Sequence, residues 1–335
     1  MRWSEAECTR QGGPYCLSSY PDRQHFGIQP CLRRALRSCF SGFCLWILIL
    51  TSCADQNSDS IALRSSTSGI GQALFEDPRF SSDGRVSCAS CHKAEHAFAD
   101  NVAFSRGVWG RQTLRNTPTL VGLPWDIPLM WDGGVTPLRH GSQGILAALT
   151  AHRDQDMNPI DLDRKLQHFT RYKVILNRLY PGQPLAAGYL LAIRDYVKKI
   201  GLLSKSGDPT TELSIKSAPK PTHRNIEQGL ALFKGKAACI RCHHGPSLTD
   251  GHFYNLGVDS SDPGRAAISL LEEDRGRFRT PPLVRLTKTA PYFHNGSAAT
   301  LEHVLQHYTE GAGEAGQINL NPEEKQALLA YLRTL

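Results

Sequence analysis

The sequence predicts a mostly α-helical fold in which one module is used twice in tandem, and three observations carry the prediction. Two C-x-x-C-H strings, CASCH (88–92) and CIRCH (239–243), recur 151 positions apart, each with its own downstream segment. Apolar residues fall at helical spacing through 162–179 and 185–203, for example Leu162, Leu166 and Phe169. No stretch sustains the two-residue alternation of a half-buried strand. With 335 residues, 40% hydrophobic and 21% charged, the chain has material for two ordinary domains, and the disordered, collagenous and polytopic membrane classes are excluded. The net charge is +7, but beyond residue 53 it is only 32 basic against 28 acidic residues, too small an excess to point to nucleic acid.

Taken in order, the first 53 residues read as a targeting segment. Arg33, Arg34 and Arg37 precede the apolar run 40–50, and LTSC (50–53) resembles the bacterial lipobox, whose cysteine is acylated. A run of eleven residues is short for a bilayer span. The expectation is export to the periplasm with Cys53 as a membrane tether; simple cleavage after Ala54 and an uncleaved anchor are the alternatives. Residues 54–69, rich in Ser and Asp, read as a flexible connection to the folded body. The first domain is expected over 70–204 and the second over 205–335, with the polar, Pro-containing stretch 204–224 as linker or surface loop. Asn225 is placed as the cap of a helix running through Phe233 into the second motif. Thr300 is placed as the cap of a helix from Leu301, and Asn321, Pro322 and Glu324 as the start of the last helix.

Of ten cysteines, six lie in the first 53 residues, leaving only Cys88, Cys91, Cys239 and Cys242, all within the two motifs. C-x-x-C-H is the attachment sequence of c-type haem. Two thiols on one side of a turn reach the vinyl groups of one porphyrin edge, and the histidine after them, His92 or His243, becomes the proximal iron ligand. A zinc site or a redox dithiol is the competing reading. The terminal histidine of each motif, their separation and the exported location speak against it. The cofactors are therefore two covalently bound haem c, and the fold two cytochrome-c-like haem domains in tandem.

FEDPRFSSDGRVSCASCH (75–92), AFAD (97–100), SRGVWGR (105–111), LRNTPTL (114–120) and MWDGGV (130–135) resemble the N-terminal haem domain of the bacterial di-haem cytochrome c peroxidase/MauG family. GLALFKGKAACIRCHHGPSLTDGHFYNLGV (229–258), FRTPPL (278–283) and APYFHNGSAATLEHVLQHY (290–308) are similar to its C-terminal domain. The resemblance implies reduction of hydrogen peroxide at the first haem, with electrons passed through the second from a small cytochrome c or copper protein. The alternatives are MauG-like, peroxide-dependent oxidation of a partner protein's side chains and plain electron transfer.

The sixth ligand separates these functions. The only methionines are Met1, Met130 and Met157, so none is available to the second haem from its own domain. His294, His303, His307 and Tyr308 are the candidates. On a helix from Leu301, Tyr308 shares a stripe with Leu301, Val304 and Leu305, whereas His303 and His307 point away. MauG-like members carry a tyrosine at this place, which favours Tyr308 as ligand over Tyr308 as packing. Some family peroxidases close the first iron with a histidine before the R-N-x-P motif. SRGVWGRQTLRN (105–116) has none, so that site reads as open, with His140 and His152 as outside candidates.

By the same resemblance Trp131 takes the inter-haem tryptophan position, and Asn116, Thr280 and Pro282 the surroundings of a calcium ion. The family's distal glutamine and glutamate fall on Gln143 and Asp156 only across an insertion. Asp156 is one methylene shorter than Glu and otherwise reads as a solvated loop carboxylate. Ala237 stands where MauG has the tryptophan used for protein oxidation.

Overall fold

The protein is described by a computed structural model covering residues 66–205, 222–259 and 261–335. The targeting segment, Cys53, most of the connecting stretch and residues 206–221 lie outside the described residues.

Helix α1 (Thr67–Glu76) starts on Ser66, whose side chain accepts from the Gly69 N–H, and buries Ile70, Leu74 and Phe75. A single turn, α2 (Cys88–Cys91), carries the first motif. Then follow α3 (Gln143–Thr150), α4 (Pro159–His168), α5 (Thr170–Leu179) and α6 (Leu185–Gly201). The expected helix over 162–179 is broken at Phe169, whose backbone (φ −102°, ψ 78°) ends α4 and begins α5. Packing explains the break. Phe169 sets its ring 5.5 Å from that of Phe80 and under the Arg79 guanidinium, within a cluster that includes Tyr172.

The second half runs through α7 (His223–Lys234), β1 (Phe253–Asn255), α8 (Ala266–Ser269), β2 (Arg277–Arg279), α9 (Leu301–Glu310) and α10 (Pro322–Leu332). Strands β1 and β2 pair antiparallel, with Tyr254 opposite Phe278. Thr222, not Asn225, caps α7: its side chain accepts from the Asn225 N–H, which puts Asn225 inside the first turn. Thr300 caps α9 as expected, and Asn321 and Glu324 close a reciprocal capping box at the start of α10.

The repeat is visible in two helix crossings. A Cβ on Gly71 of α1 would lie 2.0 Å from the Ala192 carbonyl oxygen of α6, and one on Gly229 of α7 would lie 2.1 Å from that of Ala327 of α10. Four residues after each glycine a phenylalanine meets a tyrosine. Phe75 and Tyr196 have ring centroids 5.3 Å apart, as do Phe233 and Tyr331. Each crossing anchors one apolar core, the first built on Ile70, Leu74, Tyr189 and Ile193, the second on Phe233, Leu301, Leu305 and Leu328. Among the described residues no helix is long and apolar enough to cross a membrane.

Candidate functional site: two haem attachment turns and the wall between them

The two motifs are built alike although the first is an α-helical turn (Cys88–Cys91) and the second a 3-10 turn (Cys239–Arg241). The His92 N–H donates to the Cys88 carbonyl (2.9 Å), and the His243 N–H to that of Cys239 (2.9 Å), so each histidine closes the turn bearing its thiols. The His92 ring donates Nδ1–H to the Phe98 carbonyl (2.8 Å), and the His243 ring to that of Leu248 (2.9 Å). Left-handed backbone at Phe98 (φ 56°) and Leu248 (φ 51°) turns those carbonyls toward the rings. Fixing the proton on Nδ1 leaves Nε2 as the free lone pair, the arrangement a metal-binding imidazole needs. Burial, the largest influence, holds both histidines below their usual pKa and so neutral. Burial also pushes the Cys88 thiol up to about 12 and the Cys91 and Cys239 thiols to about 11, so all three stay protonated at neutral pH.

Beside the second motif lies a cavity of about 410 Å³. His243, Cys239 and Cys242 line it, as do Tyr308, Leu301, Val304 and Leu305 of α9. The expected stripe of α9 therefore faces this cavity. Burial raises the Tyr308 phenol well above its usual pKa, and both attachment thiols add to the shift. His303 is exposed, and His307 is occupied by a 2.8 Å hydrogen bond between Nε2 and the Leu256 carbonyl. His294 also lines the cavity, stacked on Phe278 with centroids 3.6 Å apart, and its buried Nε2 has no partner among the described residues. Arg279 is equally buried, at 3% exposure, and its guanidinium donates only to the Met130 and Thr280 carbonyls among the described residues. An apolar cavity with two thiols, a neutral imidazole, an orphaned donor and an uncompensated cation fits a haem, which brings an iron and two carboxylates.

Trp131 joins the halves. Its indole N–H donates to the Asn116 carbonyl (2.8 Å), the Asn116 N–H donates to the His294 carbonyl (2.7 Å), and the Trp131 ring stands edge-on to that of His294, with centroids 6.5 Å apart. The Arg279 N–H donates to the Trp131 carbonyl (2.7 Å). The loop carrying Trp131 is pinned from the second half. Gly133 (φ 67°) leaves no room for a Cβ against Phe253, and Arg115 is held by Asp132 (2.5 Å) and Asp262 (2.7 Å).

The distal assignments fare differently. Gln143 is exposed and accepts from the Thr136 hydroxyl, and no contact joins it to Asp156 among the described residues. Asp156 is half-exposed, facing His152 (3.1 Å) and Arg111 (3.4 Å). His140 and His152 are both exposed. Two neighbours of Asp156 were not singled out from the sequence. Gln155 is buried, with Oε1 3.8 Å from the Cys88 sulfur. Asp154 has a carboxyl that burial pushes up to about 6, and its charge acts on both Cys88 and Cys91. Tyr189 of α6 is fully buried, its hydroxyl has no partner among the described residues, and burial, with Cys88 adding to it, raises its pKa.

Asn116, Thr280 and Pro282 all line the second cavity. They bring no carboxylate, and the Thr280 carbonyl already accepts from Thr249 (2.6 Å) and from the Arg279 guanidinium (3.3 Å). A guanidinium on one of the three donors disfavours a divalent cation there, and no step below runs through calcium.

A mostly helical chain with two such turns, each presenting two thiols and one free imidazole nitrogen, is a di-haem c-type cytochrome. Comparison with known proteins narrows the class. The family model for di-haem cytochrome c peroxidase matches residues 65–206, and one described as RoxA-like, cytochrome c-like matches residues 277–310. The cytochrome-c peroxidase IdrP2 of Pseudomonas sp. (strain SCT) is 30% identical over 310 residues, covering 79% of this chain and 80% of that protein. The methylamine utilization protein MauG of Methylorubrum extorquens is 27% identical over 277 residues, with 79% and 77% covered. The crystal structure of a MauG-like protein associated with microbial copper homeostasis matches with a TM-score of 0.68 at 27% identity, over 80% of this chain and 89% of that one. The chain belongs to the di-haem cytochrome c peroxidase/MauG family and is an oxidoreductase carrying haem c.

Proposed function

We propose that this protein reduces hydrogen peroxide at the haem attached to Cys88 and Cys91, with electrons reaching it through the haem attached to Cys239 and Cys242. The observation that carries the reading is the meeting of His243, Tyr308 and Trp131 on one cavity while His140 and His152, the outside candidates for the first iron, stay at the surface. Each core then serves one haem, and the boundary near 204 separates the two. Once bound, haem iron supplies the redox chemistry. His92 and His243 would each hold one of the two irons, and Tyr308 would supply a further ligand to the second. A buried phenol whose pKa is raised gives up its proton only to a cation set against it, so Tyr308 is selective for the ferric state. Trp131, half-buried and hydrogen-bonded through Asn116, is the bridge for electrons between the halves.

On the first side the chain's task is moving a proton. Asp156 is the carboxylate the family pattern points to, but burial makes Asp154 the stronger candidate, since a carboxyl titrating near 6 can both take and return a proton near neutrality. The reductant is a small cytochrome c or copper protein. Export to the periplasm and a lipid tether at Cys53 belong to the same reading.

The decisive experiment mixes peroxide with the fully oxidised protein under stopped flow. Because tyrosine ligation suits storage of oxidising equivalents, the diferric protein is expected to react without pre-reduction. Tyr308→Phe should change the low-spin spectrum and shorten the life of the oxidised state. If only half-reduced protein reacts, the tyrosine-based part of the reading is wrong and an ordinary cytochrome c peroxidase remains. MauG-like oxidation of a partner protein is the second reading. Tyr308 favours it, and Ala237 removes one known electron exit.

A further inference from the structure

The second cavity holds a buried positive charge for which the described polypeptide offers no negative one. Arg279 is 3% exposed, its guanidinium makes hydrogen bonds only to the carbonyls of Met130 (3.2 Å) and Thr280 (3.3 Å), and no carboxylate pairs with it among the described residues. The neighbouring cation behaves in the opposite way. Arg115 is held by both Asp132 and Asp262, so those carboxylates are already committed. A guanidinium taken out of water without a counter-ion is costly, and folds supply the partner when they keep such a group. Burial alone accounts for the drop of the Arg279 pKa to about 10, with no nearby charge opposing it. A second orphan lines the same cavity. His294, also 3% exposed, is clamped flat on Phe278 and edge-on to Trp131, and its buried Nε2 is unpartnered.

Two donors, one cationic, then share a cavity whose lining carboxylate, Glu314, is already held by Arg277 (3.0 Å). The ligand they fit is a carboxylate. A haem attached through its vinyl groups to Cys239 and Cys242 would carry its propionates away from those thiols. The thiols feel Arg241 and Asp250, while His294 feels Asp262, Arg115 and Asp259, so thiols and clamp sit in different electrostatic surroundings. We propose that Arg279 and His294 form a carboxylate clamp for the propionates of the second haem, with Arg279 as the counter-charge and His294 Nε2–H as a hydrogen-bond donor. The clamp also positions Trp131. The Arg279 N–H and Nε hold the Trp131 and Met130 carbonyls, and the His294 ring abuts the indole, so seating the propionates fixes the bridge. This rests on haem being attached at 239–243.

The test uses full-length holoprotein, with haem counted first as the pyridine haemochrome. Arg279→Gln removes the charge, Arg279→Lys keeps it, and His294→Phe keeps the stack on Phe278 but removes the donor. Resonance Raman of the propionate bending modes and a potentiometric titration of the second haem are the readouts. Losing a cation beside a propionate stabilises ferric iron. Arg279→Gln should therefore lower the ferrous-to-ferric ratio at fixed potential about tenfold, equivalent to 59 mV for one electron. Arg279→Lys should recover most of that, and His294→Phe should shift the Raman band with little change in potential. If Arg279→Gln and His294→Phe leave both readouts unchanged in protein with two haems, the propionate assignment is overturned. A saturable response of the wild-type potential to formate or chloride, lost in Arg279→Gln, would overturn it in favour of a free anion. A chain carrying haem only at 88–92 would overturn both this proposal and the reading on which it rests.

Discussion

Gly229→Ala is the sharpest test of how the second haem module is held together. An alanine Cβ would lie 2.1 Å from the Ala327 carbonyl oxygen and 2.6 Å from the Tyr331 Cβ. A carbon and an oxygen need about 3.3 Å, so α7 and α10 must part by about 1 Å. A gap of that size forfeits a quarter to a half of each dispersion contact along the seam, and the obstacle is backbone, which cannot swing away as a side chain can. Overpacking of this kind costs about 1–3 kcal/mol or more, and the better helix propensity of alanine returns up to about 1 kcal/mol. The expected net loss is about 1–2 kcal/mol, and it should fall on the second module. Guanidinium unfolding followed at the absorption of each haem provides the assay, because thioether bonds keep both haems attached while axial ligation reports local structure. Gly229→Ala should move the midpoint of the second haem and leave the first nearly unchanged, and Gly71→Ala should do the reverse, since its Cβ would meet the Ala192 carbonyl at 2.0 Å. If Gly229→Ala is neutral or stabilising, the crossing is looser than described and propensity dominates.

Four further outcomes follow from the same structure. Asp154→Asn should flatten the pH profile of peroxide turnover: a carboxylate serving as base works when ionised, so wild-type turnover should rise as pH climbs through about 6. The same substitution should raise stability at pH 7, because a carboxyl held above its unfolded pKa of 3.8 loses folding free energy as pH rises from there to about 6; an unaltered profile together with a strong loss in Asp156→Asn would return the role to Asp156. Asn321→Ala removes the side-chain arm of the α10 capping box, which accepts from the Glu324 N–H, and should cost about 1 kcal/mol in denaturant unfolding, a value near zero meaning that packing and the remaining Glu324 arm set that end. Chelation with EDTA should leave the spectra and peroxide turnover unchanged, whereas a loss restored by added calcium would show that Asn116, Thr280 and Pro282 bind it despite the Arg279 guanidinium on Thr280.

What the sequence made legible was whatever depends on local order. C-x-x-C-H encodes its own turn, and the stripe Leu301, Val304, Leu305, Tyr308 follows from a helix started by Thr300. Helix breaks and partners depend on the rest of the chain. Phe169 carried a helical pattern through residues that tertiary packing splits, because the Phe80 cluster gains more from its ring than the helix loses. Thr222 and Asn225 are both good capping residues, and only the path of the entering backbone selects the first. Asp154 and Asp156 are indistinguishable as letters, yet one is pushed toward neutral pH by burial and the other faces His152 and Arg111. Arg279 shows the limit most plainly. In FRTPPL it reads as one more basic residue, and only its burial in the cavity that the orphaned His294 Nε2 also lines reveals a charge with no counter-ion among the described residues. A site completed by a cofactor leaves its imprint as unpaired groups, and these become legible once the fold has buried them.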